Sequence, residues 1–83
     1  MRIAALCDAF DVALIPHVWG SIVNFHASLH FAACLPERRG RLRSPYFEYD
    51  PSENPLRTRF GSHPIDAAGA VAVPDAPGLG VDL

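Results

Sequence analysis

The sequence predicts an α/β chain in which helix, strand, helix and strand follow one another, ahead of an irregular C-terminal tail. Three observations support this class. Apolar residues recur at helical spacing in two stretches, a short run between those stretches is wholly apolar, and the two candidate strands lie about 30 residues apart, which suits one right-handed β-α-β unit. With 83 residues, the chain is expected to form one small domain at most.

The first two predicted elements are a helix over residues 2–10 and a strand over residues 12–15. The strand is short and apolar throughout, as a parallel strand buried on both faces is. Pro16 cannot donate a ladder hydrogen bond and therefore ends the strand, which places His17 at its C-terminal tip. Three apolar side chains of the helix share one face: Ile3, Leu6 and Phe10.

The second helix begins after Ser21, a good N-cap residue, and is closed by Pro36. A second strand covers residues 46–49, and a further short strand is predicted over residues 70–73. The other residues after position 50 are rich in proline, which excludes long helices there. The predicted buried stripe of the second helix comprises Ile22, Phe25, Leu29, Ala32 and Ala33.

The two predicted strands bring two ionisable side chains to one edge. In a β-α-β unit both strands run in the same direction, so their C-terminal ends lie side by side, where α/β barrels carry their chemistry. Alternation places His17 on the face of Ala13 and Ile15, and Glu48 on the face of Tyr46. We therefore expect His17 and Glu48 to lie close together. Taken alone, His17 could be a turn histidine, and Glu48 could be an ordinary strand-end carboxylate.

Composition excludes several classes of function. The net charge is −2 and all seven basic residues are arginine, which argues against a protein that binds nucleic acid or anionic membranes. The lack of lysine also excludes a mechanism that needs a lysine base or a lysine Schiff base within this chain. Residues 12–36 lack acidic and basic side chains but contain a proline, a glycine and three histidines, so we expect no membrane span. Two cysteines make no secreted disulfide framework, which favours a cytoplasmic protein with Cys7 and Cys34 as buried, unreactive thiols.

Three other features have more than one interpretation. His26 and His30 share a helix face as metal ligands can, but without an intervening glutamate a structural or surface role is favoured. The arginines within residues 38–43 could contact phosphate, but a loop that leaves a helix and enters a strand lies away from the predicted site, so a solvated loop is favoured. Trp19 could line a pocket beside His17 or pack under the loop.

Three blocks of sequence, in this order, resemble a known family: IPHVWGSIVNFHASLHFAACLP, PYFEYDPSENPLRTRF and GAVAVPDAPGLGVDL. Together they resemble the C-terminal end of the enolase superfamily, in its mandelate racemase and muconate lactonising branch. The resemblance implies a partial (β/α)8-type barrel, with residues 1–50 as the last barrel units. Residues 51–83 would be a tail that packs on a capping domain outside this chain.

The resemblance also implies roles for two residues. His17 resembles the general base at the end of the seventh strand, which moves a proton next to a carboxylate. Glu48 resembles the acid of the eighth strand, which hydrogen-bonds a substrate carboxylate oxygen and needs a raised pKa. Trp19 is a candidate substrate contact because of its position beside His17, if it lines the pocket. The family uses Mg²⁺ to neutralise the enolate as it forms, and its metal-binding carboxylates lie on strands that this chain lacks.

The parent enzyme would be a magnesium-dependent acid-sugar dehydratase or a racemase or epimerase that acts on a carboxylate-bearing small molecule. Because the metal ligands and the capping domain are missing, we expect the isolated chain to be inactive. Two alternatives stay open. The chain could be a split subunit that completes a barrel with an upstream polypeptide, or a non-catalytic interaction module that reuses the fold.

Overall fold

A computed structural model describes residues 1–36, 46–61 and 63–82 of the chain. In these ranges the core is built around one central helix, with one short helix and extended segments packed beside it. The helices are α1 (Arg2–Ala9), α2 (Ile22–Ala33) and α3 (Pro55–Thr58), and α3 contacts α2. A single antiparallel bridge in the same ranges joins Ile65 to Val71.

The helix α1 confirms the prediction of a helix near the N-terminus, but the predicted orientation of its apolar face is wrong. Ile3, Leu6 and Phe10 are all exposed, and Ala4 is the buried residue of the helix. The spacing predicts correctly that the three side chains share a face. That face has no surface to cover among the described residues, so it points to solvent.

The helix α2 begins and ends close to where the sequence predicts. The Ser21 hydroxyl accepts a hydrogen bond from the Asn24 N–H at 3.5 Å, as an N-cap does. The helix stops at Ala33, before Leu35, whose helical conformation the ring of Pro36 disfavours. The predicted stripe is buried except at Ala33, and its buried apolar members are Ile22, Phe25, Leu29 and Ala32.

The predicted strands over residues 12–15 and 46–49 are not observed as strands in the part of the chain that the structure describes. A strand is defined by ladder hydrogen bonds to a neighbour, and a barrel strand needs a neighbour on each side. Val12 and Ile15, predicted to be buried, are instead exposed. The predicted strand over residues 70–73 is reduced to the bridge at Val71. The partial barrel is therefore not confirmed.

The core lies between α2 and the segments that follow it. Val18, Phe25 and Leu29 form the buried cluster, and Phe47 and Val71 pack against it. The Phe25 and Phe47 rings meet edge to face with centroids 5.1 Å apart, a favourable aromatic geometry. The alternation that points Phe47 toward a helix is thus observed, even though its segment forms no strand.

The C-terminal tail also contacts α2. The Nδ1–H of His26 donates a hydrogen bond to the Leu79 carbonyl at 2.9 Å, and the His26 side chain is buried. The turn that presents this carbonyl includes Gly80, whose φ of +70° and close approach to the Pro74 ring leave no room for a Cβ. Here, then, part of the tail that we expected to cover a separate capping domain lies on α2.

His63 lies against the same core, a position that the sequence does not reveal. Its ring stacks on Phe25 with centroids 4.0 Å apart, and its centroid is 6.4 Å from that of His26. The Nδ1 atom is buried without a hydrogen-bond partner among the described residues. Burial, helped by the nearby Arg57 and His26, lowers the pKa of His63 below its ordinary value of 6.5.

We expect acidification from pH 7 to pH 5 to lower the melting temperature of the chain. Because the pKa of His63 is lower in the folded than in the unfolded chain, the unfolded chain binds the proton first. Stability is then full above pH 6.5 and falls as the pH drops toward the folded-state pKa. Melting curves followed by circular dichroism at both pH values measure the effect. His63→Phe, which keeps a ring on Phe25, should reduce it.

In this pH range, protonation of His63 can be distinguished from protonation of the carboxylates in residues 46–50. The pKa values of Glu48 and Asp50 are both held below their ordinary values of 4.5 and 3.8, so these groups stay ionised down to pH 5. An equal loss of melting temperature in the parent chain and in His63→Phe would show that the pH dependence arises elsewhere.

Three further predictions concern the cysteines, the arginine cluster and a membrane span. The cysteines are free thiols, but the prediction that both are buried is wrong: Cys7 is half-buried and Cys34 is exposed. Cys34 follows Ala32 by two positions, about 200° around the helix axis from the buried stripe. The arginine cluster within residues 38–43 lies outside the described residues. None of the helices in the described ranges is long and apolar enough to cross a membrane.

Candidate active site

His17 and Glu48 lie together on the surface, in contact through their side chains. The Nδ1–H of His17 donates a hydrogen bond to Glu48 Oε2 at 2.8 Å. The backbone N–H of Val18 donates to the same oxygen at 2.7 Å. The closeness expected from the predicted strands is thus present, and it is made by side-chain contacts between two extended segments.

The pair is open to solvent. The His17 side chain is 82% exposed and that of Glu48 is 46% exposed. Since Nδ1 of His17 is engaged by the carboxylate, Nε2 is the ring nitrogen left to accept a proton. A carboxylate on one nitrogen of an imidazole fixes the ring orientation and the tautomer, which is how general-base histidines are commonly held.

The pKa of Glu48 is lowered below 4.5, and the prediction of a raised pKa is wrong for this structure. The hydrogen bond from the Val18 amide is the largest cause, and the bond and charge of His17 add to it. Partial burial and the nearby Asp50 act in the opposite direction but do not prevail. Glu48 is therefore an ionised partner of His17 here, and not a protonated acid.

Polar contacts around the pair tie the two segments together. The Asn54 side-chain amide donates to the Gly20 carbonyl at 2.9 Å, so it links the segment of Glu48 to the segment of His17. Arg57 is buried, donates to the Ser52 carbonyl at 2.7 Å and lies 3.5 Å from the Asp50 carboxylate. These contacts shape the turn that follows Glu48.

Trp19 stands beside His17 in the chain but does not pack under the loop. Its side chain is 69% exposed, and its backbone carbonyl accepts a hydrogen bond from the Asn24 side chain at 3.0 Å. An exposed indole next to His17 is available for contact with a bound molecule. Substrate binding by Trp19 stays a prediction.

Magnesium is bound by oxygen ligands that face one another. In residues 1–36, 46–61 and 63–82, no group of three or more His, Cys, Asp or Glu side chains could hold a metal ion. His26 and His30 share a helix face as predicted, but no third ligand of these types stands with them in the described residues. The described residues therefore do not fit a metal site, and no catalytic step is derived through one.

Three residues that support the pair are not predicted from the sequence. Val18 contributes a backbone amide, which no side-chain pattern reveals. Asn54 and Arg57 lie in the ENPLR part of the second block that resembles the enolase superfamily, so that block holds the available signal for both. Nothing in composition or spacing distinguishes them from ordinary loop residues.

Comparisons with known proteins agree with the three sequence blocks. The family model described as "Enolase C-terminal domain-like" matches residues 1–83. The chain is 36% identical over 85 aligned positions to D-galactarolactone cycloisomerase of Agrobacterium fabrum. This alignment covers 99% of this chain and 22% of the relative. It is also 31% identical over 84 aligned positions to arabinonate dehydratase of Saccharolobus solfataricus, in an alignment that covers 100% of this chain and 21% of the relative.

The chain thus spans about a fifth of the length of the curated relatives it matches. No solved structure gives a significant match. The family match covers every residue, including those that carry the His17–Glu48 pair. The chain belongs to the enolase C-terminal domain-like family.

Proposed function

We propose that this chain supplies the proton-transfer histidine of an enolase-type active site that acts on an acid-sugar carboxylate. The contact between His17 and Glu48 carries the proposal, because it joins a base to a group that orients it. The activities of the two relatives, a cycloisomerase and a dehydratase of sugar acids or their lactones, support the substrate class.

In this proposal, Nε2 of His17 takes or delivers the proton on the carbon next to a substrate carboxylate. When the proton leaves that carbon, its electron pair moves into the carboxylate and forms an enolate. Glu48 remains ionised and holds Nδ1–H, so the positive charge gained by the ring lies beside a negative one. The exposed indole of Trp19 provides an apolar contact for the substrate chain.

We further propose that the chain is inactive by itself and works together with an upstream polypeptide. Several large apolar side chains are exposed, and they mark surface that a folded partner would cover. The chain matches about a fifth of each relative, so four fifths of an enzyme of that length would come from elsewhere. The large apolar residues exposed in the first fifteen positions are Met1, Ile3, Leu6, Phe10, Val12 and Ile15.

A chimera tests the proposal. The part of D-galactarolactone cycloisomerase that this chain matches would be replaced by residues 1–83, and cycloisomerase turnover would be measured. The relative truncated before that part serves as the background. We expect the chimera to turn over substrate well above this background, since His17 and Glu48 would be supplied by the grafted chain.

Folding of the chimera is checked independently by size-exclusion chromatography and by its circular dichroism spectrum. A chimera that folds like the intact relative but shows only the background rate would contradict the proposal. A truncated relative that is fully active without any graft would contradict it as well.

A further inference from the structure

The contact between His17 and Glu48 joins residues 31 positions apart in sequence. In a sheet, backbone ladder bonds would keep two such segments in register. Neither segment forms a strand in the part of the chain that the structure describes. Side-chain contacts must therefore hold the two segments at the distance that the pair needs.

Asn54 makes such a contact from a well-anchored position. Its Oδ1 accepts the N–H of Leu56 at 3.1 Å, which caps α3. Its backbone carbonyl accepts the N–H groups of Arg57 and Thr58, at 2.9 and 3.1 Å. With the backbone and Oδ1 fixed, the amide group is left to donate, and it reaches the Gly20 carbonyl at 2.9 Å.

The acceptor lies in the turn that carries the histidine. Gly20 comes three residues after His17 and has a φ of +112°, a conformation that residues with a Cβ rarely adopt. This conformation sets the direction of the carbonyl that Asn54 reaches. One end of the bridge is thus next to His17, and the other is six residues after Glu48 at the start of α3.

We propose that Asn54 is a positioning residue, which holds the turn of His17 against the segment of Glu48 through its bond to the Gly20 carbonyl. The proposal rests on the proposed function, because the pair it positions is the one assigned to proton transfer. Asn54 does not touch the reacting atoms. Its effect is exerted through the distance between the imidazole and the carboxylate.

The chain contains a matched control for this bond. Asn24 also donates from its side-chain amide to a backbone carbonyl of the same turn, that of Trp19 at 3.0 Å. That bond stays within one segment, whereas the bond of Asn54 crosses between two. Replacing either asparagine removes a side-chain hydrogen bond to a carbonyl of this turn, and Asn54→Ala removes the cap of α3 as well.

The pKa of Glu48 gives a readout that a merely structural role would not move. The Val18 and His17 hydrogen bonds keep it below 4.5, so it reports whether the two segments are in contact. NMR titration of the side-chain carboxyl carbon would be run on the chain and on Asn54→Ala, Asn54→Ser and Asn24→Ala. The serine variant keeps a neutral N-cap acceptor but is too short to reach Gly20.

We expect a midpoint below 4.5 in the parent chain and in Asn24→Ala, and a midpoint shifted up toward 4.5 in both Asn54 variants. A parent midpoint at 4.5 would overturn the inference, because the segments would then not be in contact. So would a parent-like midpoint in Asn54→Ser, which would leave Asn54 as a helix cap only. An equal shift in Asn24→Ala would also overturn it.

The titration does not depend on enzyme activity, so the two proposals fail separately. A folded but inactive chimera, together with the expected shifts in the Asn54 variants, contradicts the proposed function alone. An active chimera, together with unshifted Asn54 variants, contradicts the positioning role alone.

Discussion

Truncation of Phe25 to alanine should leave the chain unfolded. The side chain is 2% exposed and lies at the centre of the core, in contact with Phe47 from one segment and His63 from another. Removing a buried phenylalanine costs about 3–5 kcal/mol. Small domains have about 5–15 kcal/mol of stability in total, with the shortest chains at the low end. Urea titration followed by far-ultraviolet circular dichroism measures the loss.

The control for this truncation is Phe10→Ala, which removes the same group from the surface. The Phe10 side chain is 77% exposed, so its loss should move the urea midpoint little. If Phe25→Ala and Phe10→Ala shifted the midpoint equally, the core around α2 would not be the part that stabilises the fold.

Replacement of His17 by asparagine should lower the turnover of the chimera by about 10²–10⁴-fold, the usual contribution of a general acid or base. Asparagine can still donate a hydrogen bond to Glu48 but has no nitrogen that takes a proton at neutral pH. The His17 side chain is 82% exposed, so its replacement should not disturb folding. Turnover at saturating substrate and the melting temperature are measured on the same preparations.

His30→Asn is the matched control for this second experiment. His30 lies in α2, between the turn of His17 and Glu48 in sequence, and takes no part in the pair. We expect its turnover to stay within a few-fold of the parent chimera. Equal losses in both variants, or full turnover in His17→Asn, would remove the role assigned to His17.

The helices are the part of the fold that the sequence predicts best, because their determinants are local. Ser21 supplies a side-chain cap, Pro36 prevents continuation, and the stripe from Ile22 is set by a 3.6-residue period. The orientation of α1 could not be predicted in the same way. Which face of a helix is buried depends on what lies beside it, and periodicity alone does not supply that.

The pattern that predicts the strands is local, but whether a strand forms depends on neighbouring strands. Residues 12–15 and 46–49 carry the composition of buried strands, yet a ladder needs a paired neighbour, and a barrel strand needs one on each side. What the alternation does predict is the direction of side chains. Phe47 packs on Phe25 while its neighbour Glu48 reaches His17, as expected for a segment with a two-residue repeat.

In the candidate site too, the sequence predicts what depends on side-chain patterns and misses what depends on backbone groups. The meeting of His17 and Glu48 was predictable from the spacing and from the resemblance to the enolase superfamily. The pKa direction of Glu48 was not, because it depends mainly on the backbone amide of Val18, which has no signature in the side chains. The bridge from Asn54 depends on the orientation of a carbonyl at Gly20, which also has none.

The unequal burial of the imidazoles has a practical consequence for chemical labelling. The chain has four histidines, and three of them are wholly or partly inside: His26, His30 and His63. His17 alone is exposed, with one ring nitrogen covered by a carboxylate. A reagent that acylates imidazole rings should therefore modify the outward-facing nitrogen of His17, the proposed base, faster than the three histidines that are buried or half-buried.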